Sequence, residues 1–125
     1  MGITRDKILV GNIFPTSLIR RSCTVEVRSM QDLISALEGR ELVSFWGHTN
    51  TLGAVKAKFG LDLTPKSERP AVSLTAEALP TLAGETFPCV WVVSPDYRAG
   101  FRPAVGVEVS PEDILDWHVV LYRFL

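Results

Sequence analysis

The chain has 125 residues, of which 46% are hydrophobic and 22% charged, and its formal net charge is −1. This length and composition indicate one globular domain that can bury a core without disulfides. The weak charge disfavours a protein that coats DNA or RNA, because such proteins carry a marked basic excess. A small anionic ligand stays open, since it needs only a few cations focused in one pocket.

The cysteines and the first residues of the chain indicate in which cellular compartment the protein is expected. Cys23 and Cys89 lie in apolar runs, where buried thiols are expected, and nothing resembles a disulfide framework or a metal knuckle. Residues 3–10 are too short and too charged for a signal peptide, and no apolar run approaches the length of a membrane span. We therefore expect a cytoplasmic protein.

Hydrophobic periodicity predicts alternating strands and helices in the first half of the chain. In chain order these are a strand at 7–12, a short helix at 15–20, a strand at 24–28, a helix from Ser29 that ends at Gly39, a strand at 42–46, and a helix at 49–59 that Gly60 closes. In the second strand, Val25 and Val27 are predicted to face inward. The strand at 42–46 is almost wholly apolar, which predicts a central position buried on both faces.

The helix from Ser29 has the clearest local signals. Ser29 and Asp32 have the spacing of a capping box, in which each side chain accepts a hydrogen bond from the other residue's backbone N–H. Apolar residues then recur at i, i+3, i+4 and i+7, namely Met30, Leu33, Ile34 and Leu37. This spacing predicts one apolar helix face.

The second half of the chain is less regular. The predicted elements are a polar loop at 61–70, a short strand at 71–74, a helical turn within 75–84 broken at Pro80, a strand at 87–93, a loop at 94–100, a strand at 105–109, a helix start at 110–113 and a last strand at 119–124. The complete pattern predicts an α/β fold, a single small domain with a mixed β-sheet flanked by helices.

One stretch, residues 47–51, has the composition of a ligand-binding turn. Gly47 to Thr51 follows an apolar strand and opens a helix, which leaves its side chains at the carboxyl edge of a sheet and the first helical amides free for an anion. His48 can exchange a proton near neutral pH. The structural alternative is that Thr49 simply caps the helix and His48 is a surface turn residue.

Three further residues at strand ends or in loops add suitable groups. Asn12, in the turn at the end of the first strand, offers an amide. Arg98 offers a guanidinium that can bind a phosphate with two hydrogen bonds. Arg69, in the loop before the short strand, is the third of these residues. Each also has a structural interpretation, with Asn12 capping a turn, Arg98 pairing with Asp96 and Arg69 solvated. Together these groups predict a pocket for a phosphodiester.

The chain resembles the type III anti-CRISPR ring nuclease family, whose viral and cellular members degrade cyclic tetra-adenylate. That family has a strand ending in Asn-Ala-Phe-Ser, a Gly-His-x-x-Thr turn opening a helix, an Asn-Arg-Val stretch and an Arg-x-x-Glu-Gly loop. The matching stretches here are residues 12–14, 47–51, 68–72 and 98–100. Order and spacing hold for roughly the first two thirds of the chain, and the match thins out beyond it.

Two positions depart from the family pattern. Pro15 stands in place of the serine, although Ser17 is close enough in sequence to supply a hydroxyl. Phe101 stands in place of the glutamate, so that the active-site carboxylate is missing. Either another acid takes its part, with Asp96 the nearest in sequence, or catalysis proceeds with less assistance, or the chain binds the ring and cleaves it slowly.

The resemblance implies cleavage of the RNA type without a metal or cofactor. The ribose 2′-hydroxyl attacks the adjacent phosphorus, giving a 2′,3′-cyclic phosphate and releasing the 5′-oxygen. His48 would be the general acid, and Arg98, together with Arg69, would stabilise charge on the phosphorane. The other residues expected to bind substrate are Asn12, Ser17, Gly47, Thr49, Asn50 and Thr51. His118, in the last strand, is a less favoured participant.

The family and the symmetry of its ligand also predict a homodimer, with the ring on the two-fold axis. Apolar residues near the chain's end, Trp117, Tyr122 and Phe124, are candidates for its interface, with core packing as the more common role. Duplex nucleic acid and membranes are not expected as partners. Two alternatives stay open: a non-catalytic protein that binds and sequesters a cyclic oligoadenylate, and a nucleic-acid-binding or protein-interaction module, against which the absence of basic-aromatic stripes counts.

Overall fold

Two β-sheets and two α-helices make up the described part of the chain, which in this computed structural model comprises residues 3–47, 51–65, 71–97, 99–102, 107 and 109–125. The strands are β1 (Lys7–Gly11), β2 (Cys23–Arg28), β3 (Glu41–Ser44), β4 (Ser73–Leu74), β5 (Pro80–Leu82), β6 (Glu85–Thr86), β7 (Cys89–Tyr97) and β8 (Ile114–Phe124), and the helices are α1 (Met30–Ala36) and α2 (Leu52–Phe59). Short 3-10 turns occupy Thr16–Leu18 and Pro111–Asp113. The predicted class, a small single domain of mixed α/β type, is confirmed.

The larger sheet has five strands in the order β2-β8-β7-β1-β3. β1 runs parallel to both β3 and β7, whereas β8 is antiparallel to β7 and β2. The carboxyl ends of β1, β3 and β7 therefore lie at one edge of the sheet, and their amino ends lie at the opposite edge. The smaller sheet is antiparallel, in the order β4-β5-β6.

Each face of the five-stranded sheet carries its own apolar cluster. The first cluster includes both helices, through the fully buried Leu33 of α1 and Val55 of α2, which pack with Trp91 and Trp117 of the sheet. The second cluster, on the other face, consists of Leu9, Phe14, Phe45, Phe87, Val90 and Phe124. Because successive side chains of a strand point to opposite faces, Leu9 and Val10 of β1 enter different clusters.

The local signals for the two helices are confirmed. The Oγ of Ser29 accepts a hydrogen bond from the N–H of Asp32 at 3.1 Å, and the carboxylate of Asp32 accepts one from the N–H of Ser29 at 3.0 Å. These bonds satisfy two amides at the start of α1 that have no partner within the helix. Gly60 ends α2 in the left-handed region with φ of 71°, where a residue without Cβ is unstrained.

Two expectations about the first three strands are wrong. β3 lies at an edge of the sheet, and the apolar Phe45 and Trp46 follow the strand and are buried by other packing. Val25 and Val27 are 61% and 77% exposed, so they do not face inward as expected, and most of the edge strand β2 is exposed. Glu26 occupies the other face, where Arg123 of β8 donates a hydrogen bond to it at 3.0 Å.

The second half departs further from prediction. The segment predicted as a helical turn within 75–84 forms β5, which turns through Ala83 and Gly84 into β6; both have positive φ, as in a type I′ hairpin. β7 continues to Tyr97, so residues 94–97 form strand where a loop was predicted. After the 3-10 turn capped by Ser110, the chain enters β8 at Ile114 and does not continue as a helix.

The remaining predictions are partly confirmed. The strand predicted at 105–109 falls mostly outside the described residues, and Val107 and Val109 have no regular structure. The helix predicted at 15–20 is the 3-10 turn at Thr16–Leu18. Within the described ranges, neither helix has the length and apolar character required to cross a bilayer.

Candidate functional site

The turns that follow β1 and β3 meet at the carboxyl edge of the five-stranded sheet. Asn12 comes directly after β1, and its Oδ1 accepts a hydrogen bond of 2.8 Å from the backbone N–H of Gly47. A second bond, of 2.9 Å, runs from the N–H of Phe45 to the carbonyl of Val10 and continues the parallel pairing of β1 with β3 past Ser44. The structure thus brings together two residues that the sequence assigned to one site, Asn12 and Gly47.

Close packing between Gly11 and Phe45 fixes the spacing of these two turns. Gly11 is buried, and a methyl group added to its Cα would overlap the ring of Phe45. The same ring packs edge-on against Phe14, with centroids 6.4 Å apart. The sequence did not predict this contact. The available signal was a glycine at the end of an apolar strand, where another group often approaches the backbone closely.

Helix α2 begins shortly after the second turn. Its N-cap residue is Thr51, which is 4% exposed and forms no side-chain capping hydrogen bond. Trp46, which precedes Gly47, is 2% exposed, and among the described residues its indole Nε1 has no hydrogen-bond partner. A buried donor without a partner costs about 1–3 kcal/mol, and sequence analysis did not single out this residue.

Five of the nine predicted site residues lie outside the described residues, and their roles stay predictions: His48, Thr49, Asn50, Arg69 and Arg98. The expectation that Thr49 caps α2 also falls there. In sequence, Gly47 and Thr51 flank the first three of these residues, and Tyr97 precedes the last.

Ser17, proposed as a substitute for the family's serine, is exposed in the 3-10 turn at Thr16–Leu18. Its backbone carbonyl accepts a hydrogen bond of 2.9 Å from the Nε of Arg20. No hydrogen bond within the described part of the chain joins its side chain to Asn12 or Gly47.

The end of β7 contributes aromatic packing and two carboxylates. Phe101 stands at the position of the family's glutamate. The centroid of its ring lies 5.3 Å from the ring centroid of Tyr97, and both rings pack against the first apolar cluster. Burial raises the pKa of the Tyr97 hydroxyl above its usual value. Asp96, the nearest acid in sequence, is exposed and faces Asp116 across the β7–β8 pair. Phe101 thus has a packing role, and Asp96 and Asp116 provide carboxylates at this end of the β7–β8 pair.

His118 is exposed in β8, directly opposite Ser94 of β7. Strand alternation puts it on the same sheet face as Asp116. Because β8 is antiparallel to β7, this part of β8 lies toward the carboxyl edge, where the predicted site is. The structure gives His118 no hydrogen bond to the other predicted site residues within the described ranges.

The predicted interface residues have other roles. Trp117 and Phe124 are 7% and 8% exposed and belong to the two apolar clusters, and the half-buried Tyr122 packs against Phe14 with ring centroids 5.7 Å apart. Of the apolar side chains described, Val25 and Val27 are among the most exposed. In the described residues, no three His, Cys, Asp or Glu side chains are grouped so that they could hold a metal ion.

The fold and these contacts define a small mixed α/β protein with polar turns gathered at the carboxyl edge of its main sheet. In comparisons with known proteins, no family model matched the chain, and neither a curated protein nor a solved structure showed a significant match.

Proposed function

We propose that the protein is a metal-independent ring nuclease that cleaves cyclic tetra-adenylate, the second messenger of type III CRISPR systems, into linear products ending in a 2′,3′-cyclic phosphate. This activity would switch off or evade the immune response. The observation that carries the proposal is the 2.8 Å hydrogen bond between Asn12 and Gly47. It joins two of the stretches on which the family resemblance rests, the end of the first strand and the Gly-His-x-x-Thr turn.

The sheet topology supports the same proposal. Three stretches that match the family follow β1, β3 and β7, which are neighbours in the sheet and run parallel. In α/β sheets, ligands commonly bind outside the carboxyl ends of such strands, because the turns there converge and helix amides point into the crevice. Asn12 and Gly47 lie at this edge, and from their sequence positions we propose the same edge for the residues between Gly47 and Thr51 and for Arg98.

The proposed reaction is an in-line transesterification. His48 acts as the general acid that protonates the departing 5′-oxygen, a role that contributes about 10²–10⁴-fold. Arg98 and Arg69 stabilise the additional negative charge on the phosphorane oxygens. Asn12, Ser17, Asn50 and the amides of Gly47, Thr49 and Thr51 hold the substrate. Alignment of the 2′-oxygen with the phosphorus provides much of the remaining acceleration, because the chain offers no evident general base.

We further propose that two chains share one ring in a homodimer. Cyclic tetra-adenylate has two-fold symmetry, and a two-fold dimer presents each pocket turn twice around one axis. This arrangement lets a chain of net charge −1 surround four phosphates. The proposed location is the cytoplasm of a prokaryotic cell, or of the host cell where the protein is viral.

A second candidate function is binding of the ring without turnover. Phe101 favours it, because this side chain packs on Tyr97 at the position where the family has its active-site glutamate. A protein that holds the messenger without cleaving it would also lower its free concentration.

The deciding experiment is incubation with cyclic tetra-adenylate in EDTA, followed by separation of free and bound nucleotides. Linear adenylates ending in cyclic phosphate support the nuclease, and an intact ring retained on the protein supports the binder. The His48→Ala variant is expected to lose turnover by about 10²–10⁴-fold while keeping ring affinity within several-fold. His118→Ala replaces the only other histidine and is the matched control. A chain that neither cleaves nor retains the ring contradicts both functions.

A further inference from the structure

A cationic cavity lies at the edge of the five-stranded sheet opposite to the proposed nuclease site. It has a volume of about 280 Å³, and residues at or near the beginnings of β1, β3 and β7 line it. Arg5 precedes β1, Arg40 precedes β3, and Arg123 lies near the end of the antiparallel β8. With Lys7 these residues give the cavity four cations, and none of its described lining residues is an aspartate or glutamate.

Two of the four cations are already neutralised within the protein. The ammonium of Lys7 lies 3.0 Å from a carboxylate oxygen of Glu85 and 3.3 Å from one of Glu41. The guanidinium of Arg123 pairs with Glu26 at 3.0 Å. These pairs position the two side chains at the cavity wall but leave little net charge there.

Arg5 and Arg40 are different. Within the described part of the chain, no carboxylate lies at ion-pair distance from either guanidinium. The Nη1 of Arg40 donates a hydrogen bond of 3.1 Å to the carbonyl of Ala36, which anchors the side chain, and among the described residues its other N–H groups form no further hydrogen bond. Two guanidiniums on one cavity, neither paired with a carboxylate of the described residues, attract an anion, and their planar donors suit the oxygens of a phosphate.

The inner wall of the cavity is apolar and contains one thiol. Leu9, Phe87, Trp91 and Leu121 line it, and each belongs to one of the two apolar clusters. The half-buried Cys89 lies 3.9 Å from Nη1 of Arg123. Burial raises the pKa of this thiol, the charge of Glu26 acts in the same direction, and the charges of Arg123 and Arg5 act in the opposite direction. Cys89 is therefore close enough to these side chains to report on the cavity.

We propose that this cavity binds a small organic phosphate, with the phosphate on Arg5 and Arg40 and its apolar portion against the wall formed by Trp91. The size supports a small ligand, since the volume lies just below the range of about 300–1,000 Å³ common for ligand pockets. A cyclic oligonucleotide does not fit this volume. The site is independent of the proposed nuclease function and lies at the other end of the sheet.

The test uses AMP as the probe and the two cysteines as reporters. Alkylation by N-ethylmaleimide is followed separately at Cys89 and Cys23 by peptide mass spectrometry. Saturating AMP is expected to slow modification of Cys89 by at least about threefold, because an anion nearby disfavours the thiolate and covers it. Cys23 lies in β2 and does not line the cavity, so its rate should not change. Equal rates at Cys89 with and without AMP contradict the proposal.

Variants separate this site from general charge effects. Arg5→Gln and Arg40→Gln should each weaken AMP binding about tenfold in calorimetry, since each removes a charged hydrogen-bond donor. Arg20→Gln alters an exposed arginine that does not line the cavity and is the matched control. Adenosine, which lacks the phosphate, should not bind measurably. Inorganic phosphate should bind more weakly than AMP, because it makes no contact with the apolar wall. Adenosine binding as tight as AMP, or full affinity in both cavity variants, overturns the proposal.

Discussion

The side-chain oxygen of Asn12 accepts a hydrogen bond from the backbone N–H of Gly47, 2.8 Å away. The two residues are 35 positions apart in sequence and follow two neighbouring parallel strands. The bond fixes the backbone of the residue that directly precedes His48. It uses only the amide oxygen, so the NH₂ group of Asn12 keeps its donors for another partner. Structure and proposed chemistry are linked at this contact.

The first prediction concerns this hydrogen bond. Asn12→Ala should lower the free energy of unfolding by about 0.5–1.5 kcal/mol, the usual net contribution of one hydrogen bond. Asn12→Asp keeps an acceptor at the same place and should retain most of this stability. Urea unfolding of the three proteins measures the difference. Equal losses in both variants would show that the acceptor does not matter.

The second prediction concerns Gly11. Gly11→Ala introduces a methyl group into the space that the ring of Phe45 occupies, so the ring or the strand must move. We expect a loss of about 1–3 kcal/mol in unfolding free energy. Gly47→Ala is the matched control, because the contact that a methyl there would make with the described residues is to the Oδ1 of Asn12, at an ordinary 3.7 Å.

A smaller side chain at position 45 should relieve the Gly11→Ala overlap. In the double variant with Phe45→Leu, the combined loss should be smaller than the sum of the two single losses, as the coupling of residues in contact requires. Additive losses would mean that the two residues do not press on each other.

The sequence predicted the local elements well wherever a short-range signal decided the structure. The capping box of α1 and the terminal Gly60 of α2 act over a few residues, and both form as expected. The polar turns after β1 and β3 were likewise assigned to one site, because binding groups in such folds are expected in the loops at strand ends. The structure brings Asn12 and Gly47 together there.

Long-range packing decided what the sequence could not predict. The apolar run at 42–46 suggested a central strand, but its last two residues are buried after the strand has ended, and β3 itself is at the edge. β2 is the other edge strand, where Val25 and Val27 are exposed and Glu26, on the opposite face, gains a partner from β8 in Arg123, 97 positions away. The cationic cavity was missed for the same reason, since Arg5, Arg40 and Arg123 are neighbours only in the folded sheet.

The third prediction is a pH dependence at Glu26. Hydrogen bonds from Arg123, and then from Arg28, lower the pKa of this carboxyl from 4.5 to about 2. Because the pKa of Glu26 is lower in the folded protein than in the unfolded chain, its ionised carboxylate stabilises the fold at pH values above the pKa of the unfolded state. That contribution is lost as the pH falls from 4.5 towards about 2. The urea midpoints of wild type and Glu26→Gln should therefore differ at pH 7 and converge towards pH 2.

Salt and a second variant control this experiment. The charges of the Glu26 pairs are on the surface, so the difference at pH 7 should shrink in high salt. Glu38→Gln removes an exposed carboxylate just after α1 and corrects for the change in net charge. A gap between wild type and Glu26→Gln that persists unchanged at pH 2 would contradict the assigned pairing.

The last prediction tests the proposed role of Arg98 in the ring nuclease. A guanidinium that holds a phosphate acts both when the ring binds and when charge builds up on the phosphorane. Arg98→Ala should therefore weaken ring affinity about tenfold and lower kcat by about a further 10²-fold. Single-turnover kinetics with labelled cyclic tetra-adenylate separates the two effects. Arg102→Ala, at an exposed arginine four positions along the chain, is the matched control and should change neither. A loss of affinity with unchanged kcat would make Arg98 a binding residue only, and wild-type values for both would remove it from the site.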